Sequence, residues 1–193
     1  MISKENRAAF LDRDGVINID YGYVHKWEDF HFCEGAIEGM NILLSLDFKI
    51  IIITNQSGIA RGIFSEEQYY ELTKRYLYEL QQKGIQVRSV YHCPHHPSFS
   101  EKPFDNCNCR KPKPGLFQKA INSFNFTLDK SIAVGDSERD LIAAKRAGVK
   151  NMFLITSEDD INFKDQNIST HKSLLECSIY LQEKLSFPKN IST

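Results

Sequence analysis

The chain has 193 residues, with 24 Lys and Arg against 25 Asp and Glu, which gives a formal net charge of −1 at pH 7. Hydrophobic residues make up 41% of it, a composition typical of a globular protein, and this excludes a wholly disordered chain. The balanced charge disfavours a nucleic-acid clamp held mainly by counterion release, and no apolar run approaches the roughly 18 residues that span a bilayer.

The first half of the chain alternates short apolar runs with helical patterns. Residues 8–11 form an apolar run of strand length, and a helical pattern follows. Residues 48–53 are apolar except for Lys49 and rich in isoleucine, which is typical of a strand buried on both faces. The sequence from Ser65 to Gln68 is a capping box, which predicts a helix to about Lys83 and then a strand over 87–91.

The second half begins with a long loop over 92–113, which is rich in Pro, Cys and Asn and has no periodicity. Further elements are predicted as a helix over 116–124, a strand over 131–135, a helix over 138–147 and a strand over 151–155. Beyond Glu158 the chain is polar, and Leu174, Leu181 and Leu185 predict a last amphipathic helix that packs on the sheet.

Regular alternation of strands and helices predicts an α/β fold, a Rossmann-like doubly wound parallel sheet in a single domain over residues 1–193. In such folds ligands bind at the carboxyl ends of the strands. Three predicted strands end at polar residues of catalytic type, namely Asp12, Thr54 and Asp136. We therefore expect one site at this edge of the sheet.

The acidic residues at these strand ends suggest a metal. Asp12 and Asp14 follow a strand two residues apart, and two carboxylates so close repel one another unless a cation or a proton lies between them. Asp136 supplies a third oxygen ligand, a set that suits Mg²⁺, which prefers to share its site with phosphate. Thr54 and Lys111 are suitable donors for phosphoryl oxygens. Phosphoryl chemistry is therefore expected.

These residues resemble the motifs of a known family. Asp12-x-Asp14-Gly15, Thr54, Lys111 and Gly135-Asp136-Ser137-x-x-Asp140 resemble the four motifs of the haloacid dehalogenase superfamily of phosphatases. The stretches 20–25, 54–62 and 107–115 are similar to the branch of that superfamily that acts on phosphorylated heptoses. The resemblance extends over about residues 8–156.

The resemblance implies a two-step reaction. Asp12 is the nucleophile that becomes an aspartyl phosphate, and Asp14 is the general acid and then the general base. Mg²⁺ is held by the Asp12 carboxylate, the Asp14 backbone carbonyl and Asp136, while Thr54 and Lys111 contact the phosphoryl oxygens. The implied substrate-binding residues are Asp20, Tyr21, Gly22, Tyr23, Asn55, Gln56, Ser57 and Arg110, the last on a second phosphate.

Other interpretations of the acidic residues remain open. Asp12 and Asp14 could be solvated turn residues, because Asp-Gly is a common turn pair. Asp136 could cap the following helix, and Asp140 is expected to lie outside the ligand set. Some members of the family carry Lys where this chain has Ser137, so a substrate contact at that position is in doubt.

The cysteines suggest a second metal. The chain has five, an odd number that does not suit a disulfide framework. Cys93, Cys107 and Cys109 with one histidine would form a closed tetrahedral zinc site that pins the long loop. The spacing leaves open which of the neighbouring imidazoles is the ligand, and the family pattern selects His95. Alternatively, the thiols bind nothing. Cys33 and Cys177 are expected to be ordinary buried side chains, and Gly58 and Gly62 turn glycines.

The expected function is a phosphatase acting on a seven-carbon sugar bisphosphate, as in lipopolysaccharide-core biosynthesis, with Mg²⁺ and structural Zn²⁺ as cofactors. A histidinol-phosphate phosphatase is the alternative enzyme, and a non-catalytic, zinc-stabilised binding protein is the alternative of another class. The polar segment 1–7 lacks the apolar core of a signal peptide, and the cysteines suit a reducing compartment, so we expect a cytoplasmic protein. We also expect a monomer with no nucleic-acid or membrane partner.

Overall fold

In the computed structural model, which describes residues 6–157 and 167–186, six parallel strands form one sheet. The strands are β1 (Ala8–Leu11), β2 (Lys49–Asn55), β3 (Val87–Cys93), β4 (Ile132–Gly135), β5 (Asn151–Ile155) and β6 (Ile168–His171). Their order across the sheet is β3-β2-β1-β4-β5-β6. The predicted doubly wound α/β fold is confirmed.

Among the described residues, five α-helices cover the two faces of this sheet. They are α1 (Ala36–Ser45), α2 (Glu66–Gln82), α3 (Gly115–Phe124), α4 (Glu138–Ala147) and α5 (Leu174–Ser186). Apolar residues of α1, α2 and α5 join one buried cluster, and those of α3 and α4 join another on the opposite face. None of these helices is long and apolar enough to cross a bilayer.

The apolar run of β2 shows why the strand is buried on both sides. Ile50 and Ile52 belong to the first cluster, whereas Ile51 and Ile53 belong to the second. All four are at most 1% exposed, and each contributes about 1.5–3 kcal/mol of burial free energy. Because successive side chains of a strand point to opposite faces, a continuous apolar run is needed where helices cover both.

The helix boundaries follow the local signals of the sequence. Ser65 accepts from Gln68 N–H, and the Gln68 side chain accepts from Ser65 N–H, which completes the predicted capping box of α2. Ser137, and not Asp136, is the N-cap of α4, and Gly148 ends that helix with φ of 97°. Asp136 therefore keeps its carboxylate for the site.

The C-terminal part of the chain differs from its prediction. Strand β6, of sequence Ile-Ser-Thr-His, was not predicted, because a short edge strand with polar residues shows no apolar pattern. Helix α5 packs against α1 as well as against the sheet. Leu174 and Leu181 are buried as predicted, but Leu185 is exposed. The predicted polar stretch after Glu158 lies mostly outside the described residues.

Candidate active site

Parallel order brings the predicted catalytic residues to one edge. Asp12 follows β1, Thr54 lies near the carboxyl end of β2, and Asp136 follows β4. Since β1 pairs in parallel with both β2 and β4, the three strand ends are adjacent. The three side chains line one cavity of about 370 Å³.

Lys111 reaches this edge from the loop before α3. It is 2% exposed, and its Nζ lies 2.9 Å from Asp12 Oδ2 and 2.7 Å from Asp140 Oδ1. The same ammonium donates to the Ile53 carbonyl at 2.8 Å. Burial disfavours the charged ammonium, but the two carboxylates outweigh it and raise the pKa of Lys111. A permanently charged Lys111 is therefore fixed beside Asp12.

The backbone of Lys111 is held by Asn55. The Asn55 side-chain amide donates to Lys111 O and accepts from Lys111 N–H, both at 3.1 Å. Asn55 lines the cavity, as expected of a substrate-binding residue, but its amide is already engaged with the loop. The predicted binding residue thus also attaches the loop to the end of β2.

The acidic cluster has more negative charge than its one buried ammonium can balance. Ligand oxygens of Asp12, Asp136 and Asp140 lie within 4.8 Å of one another. Burial raises the pKa of Asp12 to about 8, with Asp140 and Asp136 adding to the rise and Lys111 opposing it. Burial and then Asp140 raise the pKa of Asp136 to about 6. Such shifts indicate a site that lacks a positive charge.

One atom of this cluster also lacks a partner. Asp136 Oδ1 is buried without a hydrogen bond to any described residue. Gly15, with φ of +78°, lets the chain pass so close that an added Cβ would lie 2.2 Å from Asp136 Oδ2. Asp140, by contrast, is occupied by Lys111 and accepts from Ser137 N–H at 3.1 Å and from its hydroxyl at 2.5 Å. The residues present fit a hard divalent cation at Asp12 and Asp136.

Asp14 lies outside the carboxylate cluster and has its own hydrogen bonds. Its Oδ1 accepts from the Arg13 guanidinium at 2.7 and 3.2 Å and from Asn18 Nδ2 at 3.1 Å. Its Oδ2 accepts from Gln56 Nε2 at 2.9 Å, and the same amide donates to Thr54 Oγ1 at 2.9 Å. Asp14 is thus oriented at the cavity wall, close to Thr54.

The cavity gathers most of the predicted site. Its lining includes the predicted residues Asp12, Asp14, Asp20, Gly22, Tyr23, Thr54, Asn55, Gln56, Ser57, Arg110 and Asp136. Lys111 lies buried next to Asp12, and Tyr21 lies outside the lining, 62% exposed, with its ring against His31. Three further lining residues, Gly58, Arg61 and Arg139, were not among the predicted site residues.

Three arginines, Arg61, Arg110 and Arg139, make part of the cavity lining basic. The Arg61 guanidinium lies 4.4 Å from the ring centroid of Phe99 and 2.9 Å from His96 Nε2. Burial lowers the pKa of Arg110, and the nearby charges of Arg139 and Arg61 lower it further. The mutual repulsion shows that these cations share one region, which suits an anionic group. Both Arg61 and Arg139 lie within the motifs recognised in the sequence. Arg139 occupies a variable position of the last motif, and Arg61 lies in the stretch 54–62 without an assigned role.

A second cluster lies one strand away from the first. Ligand atoms of Cys93, His95, Cys107 and Cys109 lie within 4.8 Å of one another. The Sγ atom of Cys93 lies 3.7 Å from that of Cys107 and 3.1 Å from that of Cys109, so the first pair has, and the second falls short of, the roughly 3.8 Å that tetrahedral Zn–S bonds of about 2.3 Å require. A hydrogen bond from Cys93 lowers the pKa of Cys109 to about 5, which favours the thiolate that binds metal. The cluster fits a zinc ion.

The neighbouring histidines are occupied elsewhere. His92 Nε2 lies 3.2 Å from Glu66 Oε1, and its ring packs 4.2 Å from that of Tyr69. His96 contacts Arg61. His95 Nδ1 alone of the three lies in the cluster, 3.2 Å from Cys109 Sγ. Cys33 is half-buried and Cys177 fully buried, both outside the cluster.

Comparisons with known proteins point the same way. The haloacid dehalogenase-like hydrolase family model matches residues 103–154. D-glycero-beta-D-manno-heptose-1,7-bisphosphate 7-phosphatase of Pasteurella multocida is 43% identical over 149 residues, which cover 77% of this chain and 81% of that protein. D-glycero-alpha-D-manno-heptose-1,7-bisphosphate 7-phosphatase of Photorhabdus laumondii is 42% identical over 177 residues, which cover 88% and 97%.

A solved structure agrees with these relatives. The D,D-heptose 1,7-bisphosphate phosphatase from B. bronchiseptica, complexed with magnesium and phosphate, is 28% identical and has a TM-score of 0.78. The match covers 92% of this chain and 99% of that one. This chain belongs to the haloacid dehalogenase-like hydrolases and, within them, to the family of phosphoric monoester hydrolases that contains the D-glycero-D-manno-heptose-1,7-bisphosphate 7-phosphatases.

Proposed function

We propose that this chain is a magnesium-dependent phosphatase that removes the 7-phosphate from D-glycero-D-manno-heptose 1,7-bisphosphate, in cytoplasmic nucleotide-heptose biosynthesis for lipopolysaccharide. The observation that carries the proposal is the cavity itself, which has Asp12 paired with buried Lys111 and three arginines, Arg61, Arg110 and Arg139, in its lining. A bisphosphate needs a reactive centre and a separate cationic contact. The relatives named for this substrate support the assignment.

Asp12 is the proposed nucleophile. Its carboxylate attacks phosphorus, the bond from phosphorus to the sugar oxygen breaks, and the electron pair stays on that oxygen. Asp14 supplies the proton that the leaving oxygen takes up, and it later accepts a proton from the water that hydrolyses the aspartyl phosphate. Thr54 and Lys111 steady the phosphoryl oxygens, a role supported by Thr54 in the cavity lining and by the Lys111 ammonium 2.9 Å from Asp12 Oδ2.

Asp12, Asp136 and the Asp14 backbone carbonyl would hold Mg²⁺. A bound Mg²⁺ neutralises charge on the phosphoryl group as it is transferred. The unpartnered Asp136 Oδ1 and the raised pKa values of Asp12 and Asp136 support this ligand set. Asp140 is then the carboxylate that holds Lys111 in place.

The zinc ion is proposed as structural, with Cys93, His95, Cys107 and Cys109 as its closed ligand set. The loop that contains these residues has little secondary structure of its own, so ordering it costs backbone entropy. A tetrahedral ion offsets that cost and holds the adjacent Arg110 toward the cavity.

Arg110 is the proposed contact for the phosphate that is not hydrolysed, with Asp20, Tyr21, Gly22, Tyr23, Asn55, Gln56 and Ser57 around the sugar. Its guanidinium also donates to the His95 carbonyl at 3.2 Å, which ties it to the zinc cluster. The planar fork of arginine suits a phosphate group. We propose that the chain acts as a monomer, because one chain supplies every one of these residues.

A substrate panel tests the assignment. Phosphate release is measured for both anomers of the heptose bisphosphate, for histidinol phosphate and for a simple monophosphate. We expect kcat/KM to be much higher for a heptose bisphosphate than for the other substrates. Arg110→Ala should lower kcat/KM for the bisphosphate about tenfold or more, and should lower kcat/KM for the monophosphate less. Arg88→Ala, which removes an exposed arginine on β3 away from the cavity, is the matched control.

The results separate the alternatives. Relatives carry names for both the alpha and the beta anomer, so the panel also decides between these. Equal or faster hydrolysis of histidinol phosphate would falsify the heptose assignment but leave the phosphatase mechanism intact. No magnesium-dependent phosphate release from any substrate would favour a non-catalytic binding protein.

A further inference from the structure

Arg13, between the two aspartates of the first motif, has no role in the reaction as described above. Among the described residues it is the largest side chain that is fully buried, with 0% exposed. Two buried tyrosines of α2, Tyr69 and Tyr76, lie close enough for their electrostatics to affect it. A guanidinium in such a place is unusual, because removing it from water costs several kcal/mol.

The contacts of Arg13 concentrate on a single oxygen. Its Nη2 donates to Asp14 Oδ1 at 2.7 Å, and its Nε donates to the same oxygen at 3.2 Å. The guanidinium is itself held by the Val24 carbonyl, which accepts from Nη2 at 2.8 Å. Asn18 Nδ2, also fully buried, adds a third donor to Asp14 Oδ1 at 3.1 Å.

The other oxygen of Asp14 has a different environment. Oδ2 accepts one N–H, from Gln56 at 2.9 Å, and Gln56 and Asp14 both line the cavity. A carboxylate oxygen has two lone pairs, so Oδ2 keeps one for a proton, whereas the three donors around Oδ1 leave no room there. The two oxygens are therefore unequal before any substrate arrives.

We propose that Arg13 is a positioning residue that, with Asn18, reserves Asp14 Oδ2 as the oxygen that gives and takes the proton. This inference rests on the proposed role of Asp14 as general acid. When the bond from phosphorus to the leaving oxygen breaks, its electron pair stays on that oxygen, which takes the proton from Oδ2. The Arg13 side chain is fully buried and outside the cavity lining, so it acts by fixing the rotation of the Asp14 carboxyl and not on the substrate directly.

Stability alone does not account for this arrangement. Buried ion pairs can often be replaced by apolar residues of similar volume without loss of stability. Arg13 Nη1 has no hydrogen-bond partner among the described residues, so the site is not arranged to satisfy the guanidinium fully. What the arrangement does satisfy is Asp14 Oδ1.

The test compares leaving groups. A nitrophenolate departs as an anion, whereas a sugar alkoxide needs a proton as it leaves, so loss of the acid harms alkyl phosphates much more. The kcat/KM of p-nitrophenyl phosphate and of a simple alkyl phosphate are measured for Arg13→Lys, Arg13→Gln and Asn18→Ala. Since kcat/KM covers only the steps up to departure of the leaving group, the later hydrolysis step does not mask the effect.

We expect Arg13→Gln to lower the alkyl rate at least tenfold more than the nitrophenyl rate. Arg13→Lys, which keeps one charged donor, should recover part of the difference, and Asn18→Ala should show a smaller effect of the same sign. If the Arg13 variants do not fold, the ratio for Asn18→Ala decides. Tyr76→Phe, which keeps every donor to Asp14, is the control and should leave the ratio unchanged.

The Asp14→Asn variant separates failure of the inference about Arg13 from failure of the general-acid role of Asp14. If Asp14→Asn shows strong leaving-group selectivity and folded Arg13 variants lower both rates equally, Arg13 is only structural and the inference is overturned. If Asp14→Asn itself shows no selectivity, the general-acid role in the proposed function is wrong, whatever the Arg13 variants do.

Discussion

Removal of magnesium should make the stability of this protein fall as the pH rises. Burial, with help from Asp140 and Asp136, raises the pKa of Asp12 from 3.8 to about 8 in the absence of metal. The folded chain then holds this proton more tightly than the unfolded chain does. Between about pH 4 and pH 8 the folded state binds more protons, so the free energy of unfolding decreases with pH across that window.

The size of the effect follows from the same shift. A displacement from 3.8 to about 8, at about 1.4 kcal/mol per pH unit, corresponds to roughly 6 kcal/mol when Asp12 is fully ionised. Mg²⁺ bound between Asp12 and Asp136 would supply the missing positive charge and replace the proton. Stabilisation by Mg²⁺ should therefore be small near pH 5 and largest above pH 8.

The assay combines thermal unfolding with calorimetry. Tm is recorded at several pH values from about 5 to 8.5, with and without saturating Mg²⁺. Titration of Mg²⁺ near pH 7, in two buffers of different ionisation enthalpy, counts the protons released, and we expect close to one per ion because Asp12 is then mostly protonated. Asp12→Asn removes the titrating group and should abolish that release.

A constant Tm would contradict the raised pKa of Asp12. If the metal-free wild-type protein keeps the same Tm over this pH range, and Mg²⁺ binds without releasing a proton, burial does not raise the pKa of Asp12 to near 8. Asp136→Asn gives a second check, since it removes a metal ligand but leaves the titration of Asp12 in place. It should weaken Mg²⁺ binding and preserve the downward slope of Tm with pH.

Two further predictions concern the nucleophile and the zinc cluster. Asp12→Asn should keep its fold but retain less than a tenth of the wild-type rate, a loss above ~1.4 kcal/mol in transition-state free energy, and a higher residual rate in a phosphate-release assay would contradict covalent catalysis. Metal analysis should find one tightly bound Zn²⁺ per wild-type chain. Cys107→Ser should lose that ion and lower Tm, while Cys33→Ser, outside the cluster, should do neither. If wild-type protein stripped of zinc is as stable and as active as untreated protein, zinc has no structural role.

The strand-end residues could be predicted because their placement needs only local information. An apolar run followed by Asp12, another that reaches Thr54 and a third followed by Asp136 meet at one edge in any parallel sheet in which those strands are neighbours. Lys111 and Arg110 were recognised from motifs, and the motifs say what these residues do in relatives. That Lys111 is buried between Asp12 and Asp140 follows only from the folded loop.

Contacts between distant parts of the chain were beyond the sequence. Asn55 was recognised as a binding residue, but the clamp of its amide on the backbone of Lys111 depends on where the loop settles. Arg139 is an exposed residue of the first turn of α4, and only the orientation of that helix turns it toward the cavity. Strand β6 pairs along the sheet edge with too few apolar residues to be predicted.

The cysteine–histidine cluster and the edge that bears Asp12 are linked through adjacent strands. Asn55, at the end of β2, pairs in register with Cys93, at the end of β3, so a cysteine of the cluster lies directly beside the residue that clamps Lys111. The loop is thus attached twice, at Cys109 through the cluster and at Lys111 through Asn55. Arg110 lies between these two attachments. Its neighbour in the chain is buried against Asp12, while Arg110 itself lines the cavity with Arg61 and Arg139. In the proposed function these two consecutive residues would contact the two ends of one substrate, and the backbone between them would help to set the distance between those contacts.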